Sequence, residues 1–137
     1  MVVQSITDYH HHYEFKTRWK DIDLFGHVNH AVFLTYIEDA RIIYFKRWNI
    51  TEKKRSLIVA SIKIDYLRQI EHPSNLIVGQ KISRIGNSSF DIQSAIFLNN
   101  DPKPAANSVV SCVCFDYQKY KSVRVYNEIK ADFQLDK

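Results

Sequence analysis

The sequence predicts an α+β domain in which one antiparallel β-sheet wraps around a single long α-helix. Three observations carry this. One short alternating segment is followed by a long run of apolar residues at helical spacing, and four long β-branched segments then succeed one another with turn residues between them. Only three glycines and three prolines punctuate 137 residues, so a few long elements must fill the chain. With one helix available, the economical packing lays the apolar face of the sheet around it. The length suits one core, so residues 1–137 are read as a single domain without a linker.

Each element follows in order. The opening MVVQSITDYHHHYEF has no basic stretch leading into an apolar one, and no apolar run is long enough to cross a bilayer. A cytoplasmic protein with no membrane association is expected. His10, His11 and His12 mark a strand entrance, where side chains alternate faces. In HYEFKTR, Tyr13, Phe15 and Thr17 share one face and Glu14 and Lys16 the other, which makes a half-buried strand. From Asn29, the residues Phe33, Tyr36, Ile37, Ala40, Ile43, Tyr44 and Trp48 recur at spacings of three and four. They predict a mostly buried helix of about 20 residues, some 30 Å long. The segments LIVASIKIDYLRQI, LIVGQKISRI, SSFDIQSAIFL and NSVVSCVCFDYQ then read as four strands. They are bounded by Glu71 to Asn75, by Gly86-Asn87 and by NNDPKPAAN. The tail NEIKADFQLDK reads as a short helix capped by Asn127. Five strands around a helix leave open edges, which natural sheets pair or cover, so a homodimer or homotetramer is expected.

Composition excludes several functions. The net charge of +4 favours anionic partners, yet the basic residues are scattered. The one dense run, Glu52 to Arg55, reads as a solvated connection, and no nucleic-acid module is recognisable. Cys112 and Cys114 alternate on a strand, a spacing that suits buried thiols better than a disulfide or a zinc site. GNSSF lacks the second glycine of a serine-hydrolase elbow, and three glycines supply neither a phosphate loop nor a dinucleotide fingerprint. A hydrolase built from this chain would be led by a carboxylate.

The polar stretch WKDIDLFGHVNH offers one. If Asn29 caps the helix, the amides of His30, Ala31 and Val32 point out of its end unpaired, backed by about half a positive charge of helix dipole. Gly26 permits a sharp turn and a close approach of ligand to backbone, and Asp23 stands at the start of that turn. A carboxylate beside donors that polarise a carbonyl is what acyl transfer requires. Aspartates before helices also serve as caps and turn formers, so the residues alone leave a catalytic and a structural reading open. His27 and His30 raise a metal site as a further idea, but His27 precedes the expected helix start and metal dependence is not expected.

As a whole, RWKDIDLFGHVNHAVFLTYIEDAR resembles the opening of hotdog-fold acyl-CoA thioesterases of the 4-hydroxybenzoyl-CoA thioesterase type, with their D-x-D-x-x-G-H-V motif. The downstream IKIDYLRQI, RIGNSSFDI and VCFDYQKYKSVRV are similar to later strands of that family, so the likeness spans nearly the whole chain. It implies a hotdog fold and hydrolysis of an acyl-CoA to free acid and coenzyme A. Coenzyme A enters as part of the substrate, with no separate cofactor. The resemblance makes Asp23 the catalytic carboxylate, as nucleophile or as general base, and Asp21 a supporting residue that pairs with Arg18 or Lys20 or fixes the turn. His27 contacts substrate, tunes Asp23 or stabilises the turn. The thioester carbonyl is directed to the helix amides near His30, which makes Gly26, Val28, Asn29 and His30 the expected substrate-binding segment, through backbone rather than imidazole. Arg84, Lys121 and Arg124 are candidates for the coenzyme A phosphates. Ser88 and Ser89 shape a hairpin or bond the ligand. Phe33, Tyr36 and Tyr44 belong to the core, with one or two lining the acyl pocket. Two further readings share the scaffold: a non-hydrolytic acyl-thioester binding protein, and a thioesterase acting on acyl-carrier protein.

Overall fold

The computed structural model of the protein describes residues 5–50 and 55–136, which leaves residues 1–4 and most of the basic run at Glu52 to Lys54 outside the described residues. Strand β1 (His11–Lys16) leads to helix α1 (His30–Arg47). Four long strands follow, β2 (Ser56–Tyr66), β3 (Asn75–Ile85), β4 (Ser89–Leu98) and β5 (Pro104–Asp116), then a two-residue strand β6 (Lys121–Ser122) and helix α2 (Asn127–Asp136). The ladders are antiparallel in the order β1-β3-β4-β5-β2, with β6 added to β5. This is the expected hotdog fold, with α1 as its filling.

Some expectations shift. The sheet has six strands rather than five, because Lys121 and Ser122 pair with Phe115 and Asp116 over too short a span to leave a periodic signal. The segment read as strand from Leu57 to Ile70 leaves the ladder after Tyr66, when the amides of Leu67 and Arg68 turn to the Ala105 carbonyl and Ile70 drops into the core. Strand β2 therefore pairs with β5 at the edge instead of with its sequence neighbour β3. Ile43, assigned to the buried stripe, is 42% exposed, and Arg41 is buried in its place. Asn127 is the first residue of α2 rather than its cap, since the Tyr126 carbonyl accepts from Ile129 and Lys130.

Period-two burial along β5 shows what holds the layers together. Ala106, Ser108, Val110, Cys112 and Cys114 face inward, at most 3% exposed, beneath α1. Both cysteines are free, and burial pushes the Cys112 thiol up to about 12. Phe33 and Tyr44 of α1 and Trp48 at its C-terminal cap are fully buried, Trp48 edge-on to Phe90 of β4. Each such side chain contributes about 1.5–3 kcal/mol by leaving water. Helix α2 is held to the end of α1 by Arg47, which grips Asp132 through two hydrogen bonds of 2.9 and 2.8 Å. On the outer face Tyr9 lies over Gly79, where a Cβ would meet the ring at 2.7 Å, so only glycine fits. Among the described residues no helix is long and apolar enough to cross a membrane.

Candidate active site

Between β1 and α1 the chain builds a small hairpin. Ile22 bridges Val28, and the Asp23 amide donates to the His27 carbonyl at 2.7 Å. At its tip the Gly26 amide returns to the Asp23 carbonyl, with Gly26 at φ +83°, a left-handed conformation that favours glycine. The loop is anchored from below. The Val28 amide donates to the Ile70 carbonyl, the Asn29 amide to the Asp21 carbonyl, and His27 bridges Glu71 through the backbone. The link after β2 thus supports the turn from the far side of the sequence.

The two aspartates of the motif have different surroundings. Asp21 is 1% exposed and accepts from the Arg18 amide and Nε at 2.9 and 3.1 Å and from the Tyr36 hydroxyl at 2.6 Å, with the Arg18 Nη2 at 3.0 Å. Burial alone would raise its carboxyl, but the Tyr36 and Arg18 hydrogen bonds outweigh it and hold Asp21 below the usual carboxylate range. Of the two partners expected for Asp21, Arg18 is the one it takes. Asp23 is half-buried. Its Oδ1 accepts from the amides of Phe25 at 2.8 Å and His27 at 3.3 Å, while its Oδ2 has no partner among the described residues.

At the helix start, Asn29 caps α1 by accepting the Ala31 amide on its side chain at 2.9 Å. The three-amide expectation is corrected here. Ala31 is taken by the cap and Val32 by the Asn29 carbonyl, so only the His30 amide is left without a partner among the described residues. The His30 ring stacks on Tyr66 at 4.2 Å, the Tyr66 hydroxyl donates to the His30 carbonyl, and Phe33 meets Tyr66 edge-on. Sequence reading missed Tyr66. Its place at the end of a strand carries no local sign that the helix terminus lies above it. His27, also half-buried, has Nε2 3.9 Å from Glu71 Oε1, and among the described residues no three His, Cys, Asp or Glu side chains converge as metal ligands.

Asp23, Gly26, His27, Val28, Asn29 and His30 are thus gathered in one turn. The candidate phosphate ligands are elsewhere. Arg84 clasps Asp91 at 2.9 and 3.0 Å and also donates to the Ser89 hydroxyl at 3.1 Å, so both belong to a hairpin ion pair. The hydrogen bond to Asp91 is also the main cause that raises the Arg84 guanidinium. Lys121 is exposed opposite Asp116 in the β5–β6 ladder, and the exposed Arg124 follows it. Asp116 lies ten residues along β5 from Ala106, the partner of Tyr66, which is roughly 33 Å of strand. Within one chain these basic residues and the turn occupy opposite ends of the sheet.

Relatives agree with this architecture. A family model described as the thioesterase-like superfamily matches residues 17–133. An uncharacterized protein of Bacillus subtilis, YsmA, is 33% identical over 115 residues, 82% of this chain and 78% of that protein. The long-chain acyl-CoA thioesterase FadM of Escherichia coli is 23% identical over 122 residues, covering 85% and 92%. Among solved structures, the PA5185 protein of Pseudomonas aeruginosa superposes with a TM-score of 0.88 at 23% identity, over 98% of this chain and 96% of that one. Because the family match runs from the end of β1 into α2 and includes the whole turn, the chain belongs to the thioesterase-like superfamily.

Proposed function

We propose that the protein hydrolyses acyl-CoA thioesters, with Asp23 as the catalytic carboxylate and the His30 amide as a donor to the carbonyl oxygen. One observation carries this reading. Asp23 has one oxygen fixed by two turn amides and the other unclaimed by any described residue, in the turn that leads straight into the capped end of α1, where one amide is likewise unclaimed. The superfamily membership and the activity named for FadM support the substrate class. In the reaction the carbonyl oxygen accepts from the His30 amide, backed by the helix dipole, as negative charge develops on it. Asp23 Oδ2 then either attacks the carbonyl carbon, expelling the coenzyme A thiolate and leaving an anhydride for water to cleave, or takes a proton from the attacking water. His27, at the far side of the turn, braces the Asp23 backbone through its carbonyl.

A second copy completes the site in this proposal. Strand β2 is paired on one edge only and presents Val59, Ile62 and Tyr66 to solvent at 38, 42 and 37%. Antiparallel pairing of two β2 edges about a two-fold axis sets the Ser56 end of one copy beside the Tyr66 end of the other. The basic residues at the far end of the sheet, Lys121 and Arg124, then approach the turn of the other copy, where they can meet coenzyme A phosphates. Nothing in this scheme needs a membrane or a nucleic acid, and a cytoplasmic location suits the substrate.

The test is a panel of short, long and aryl acyl-CoAs followed by thiol release, for the wild type and Asp23→Asn. The asparagine keeps the turn acceptor and removes the charge. Hydrolysis that falls on the order of 10² to 10⁴ in the variant supports the reading. Absence of hydrolysis across the panel, or full activity in the variant, sinks it.

A further inference from the structure

Across the inner face of the sheet, three polar side chains form one row among apolar rows. The register sets Gln80 of β3 opposite Ser94 of β4, and Ser94 opposite Ser108 of β5. The rows on either side are Val78, Ile96 and Ala106, and Ile82, Ile92 and Val110, every one at most 1% exposed. Gln80, Ser94 and Ser108 are themselves 1, 0 and 3% exposed, and Gln80 Nε2 donates to the Ala40 carbonyl at 3.0 Å, which places the row directly beneath α1. Gln80 Oε1, Ser94 Oγ and Ser108 Oγ all lack a hydrogen-bond partner among the described residues.

Packing alone is a poor reason for this. A buried polar atom left unmade costs about 1–3 kcal/mol, whereas alanine or leucine at the same positions would bury without that penalty. Buried polar atoms call for an explanation, and three in one register row call for a common one. Facing side chains on neighbouring strands have Cβ atoms about 4.5–5.5 Å apart, so Gln80 and Ser108, one strand to either side, flank the space over Ser94 that one small group would occupy. Two of them are hydroxyls that donate or accept, and the amide oxygen only accepts. Their complement is a group that accepts from the serines and donates one proton to Gln80.

We propose that Gln80, Ser94 and Ser108 form a receptor for one hydroxyl group. Two sources share this chemistry: an ordered water, and a hydroxyl carried on the acyl chain. The row is placed for both. At one end Gln80 is paired with His11, which lines a cavity of about 240 Å³ with Tyr44, Arg47 and Asp132. At the other, Ser108 lies two residues along β5 from Ala106, the partner of Tyr66 on which His30 stacks, and so roughly 7 Å along the strand from that position. The acyl source rests on the acyl-CoA reading above; the receptor itself does not.

Two measurements on the whole protein test it. The first is a high-resolution crystal structure of the ligand-free protein, in which an oxygen peak is expected within about 2.7–3.2 Å of the three atoms. The second is calorimetric binding of fatty acids that carry one hydroxyl at successive positions, against the unsubstituted acids. If the acyl chain is the source, the acid whose hydroxyl reaches the row binds about 10-fold tighter than its parent. Ser94→Ala with Ser108→Ala then abolishes that advantage and leaves the parent's affinity unchanged. An oxygen peak without any preference assigns the receptor to water. No peak and no preference, or a preference that survives both serine substitutions, overturns the proposal. Neither measurement depends on turnover, so a failure of thioester hydrolysis is distinguished from a failure of the receptor.

Discussion

Asp21 and Asp23 are two residues apart and are held in opposite ways. Asp21 is sealed under the turn, its two oxygens spent on Arg18 and Tyr36 and its charge held in place by them. Asp23 stands above the seal, with one oxygen anchored by backbone amides and one uncommitted. A carboxylate whose bonds are all made is a fixture, whereas one with an oxygen that has no partner among the described residues is free to act as the proposed mechanism requires. In D-x-D the first acid braces the turn that carries the second, because Asp21 joins the end of β1 to α1 through Tyr36 while its own carbonyl receives Asn29, the helix cap.

Exchanging the two roles by mutation should separate activity from stability. The largest effect expected is on catalysis: Asp23→Asn lowers kcat on the order of 10² to 10⁴ while its melting temperature stays near that of the wild type. Asp21→Asn should do the reverse first. It loses about 2–3 kcal/mol of stability, read by chemical denaturation, because charged hydrogen bonds are weakened in a buried site. Equal loss of activity with no loss of stability in Asp21→Asn would break the comparison. Gly26→Ala forces a side chain into a left-handed backbone at about 1–2 kcal/mol. It should disturb kcat more than stability, since the strain falls on the turn that aims Asp23. Acid titration sharpens the contrast further. The Asp21 carboxyl is depressed in the folded state, so its contribution is complete above an unfolded value near 4 and fades as pH falls through the lower folded value. The stability gap between wild type and Asp21→Asn should therefore shrink below about pH 4. Asp91 and Asp132 are depressed as well, but they are present in both proteins and cancel in the difference.

How much of this was legible depended on whether a residue's partner lies nearby in sequence. The turn, the cap at Asn29 and the central helix are local, and spacing within WKDIDLFGHVNH and the run after it shows them. Tyr66 and Glu71 join the site only because the chain crosses the end of the sheet after β2, and no pattern around them says so. The burial of Arg41 and exposure of Ile43 reverse what hydropathy predicts, since Ile43 sits at the margin of the stripe that α1 presents to the sheet. Arg84 looked like a free phosphate ligand until the hairpin supplied Asp91, an acid seven residues away, as its partner, and Ser89 takes the hairpin role by accepting from Arg84. The polar row under α1 was hidden for the same reason. Gln80, Ser94 and Ser108 are each unremarkable in their own strands and form a row only through the register.

The smallest expected effect isolates one bond of the Asp21 platform. Tyr36→Phe keeps the ring that packs on Phe15 and deletes only the hydroxyl that donates to Asp21 at 2.6 Å. Arg18 remains bonded, so the stability loss should be about 1.5–2 kcal/mol, the lower part of the range for a hydrogen bond to a charged group. Burial, the largest influence on Asp21, then meets less opposition, and the carboxyl rises toward its ordinary value. The acid limb of the stability curve should move to higher pH, a shift that lost packing alone would not produce. An acid limb that stays in place would mean that Arg18 alone holds the charge of Asp21, and that Tyr36 serves the fold as an aromatic ring with its hydroxyl incidental.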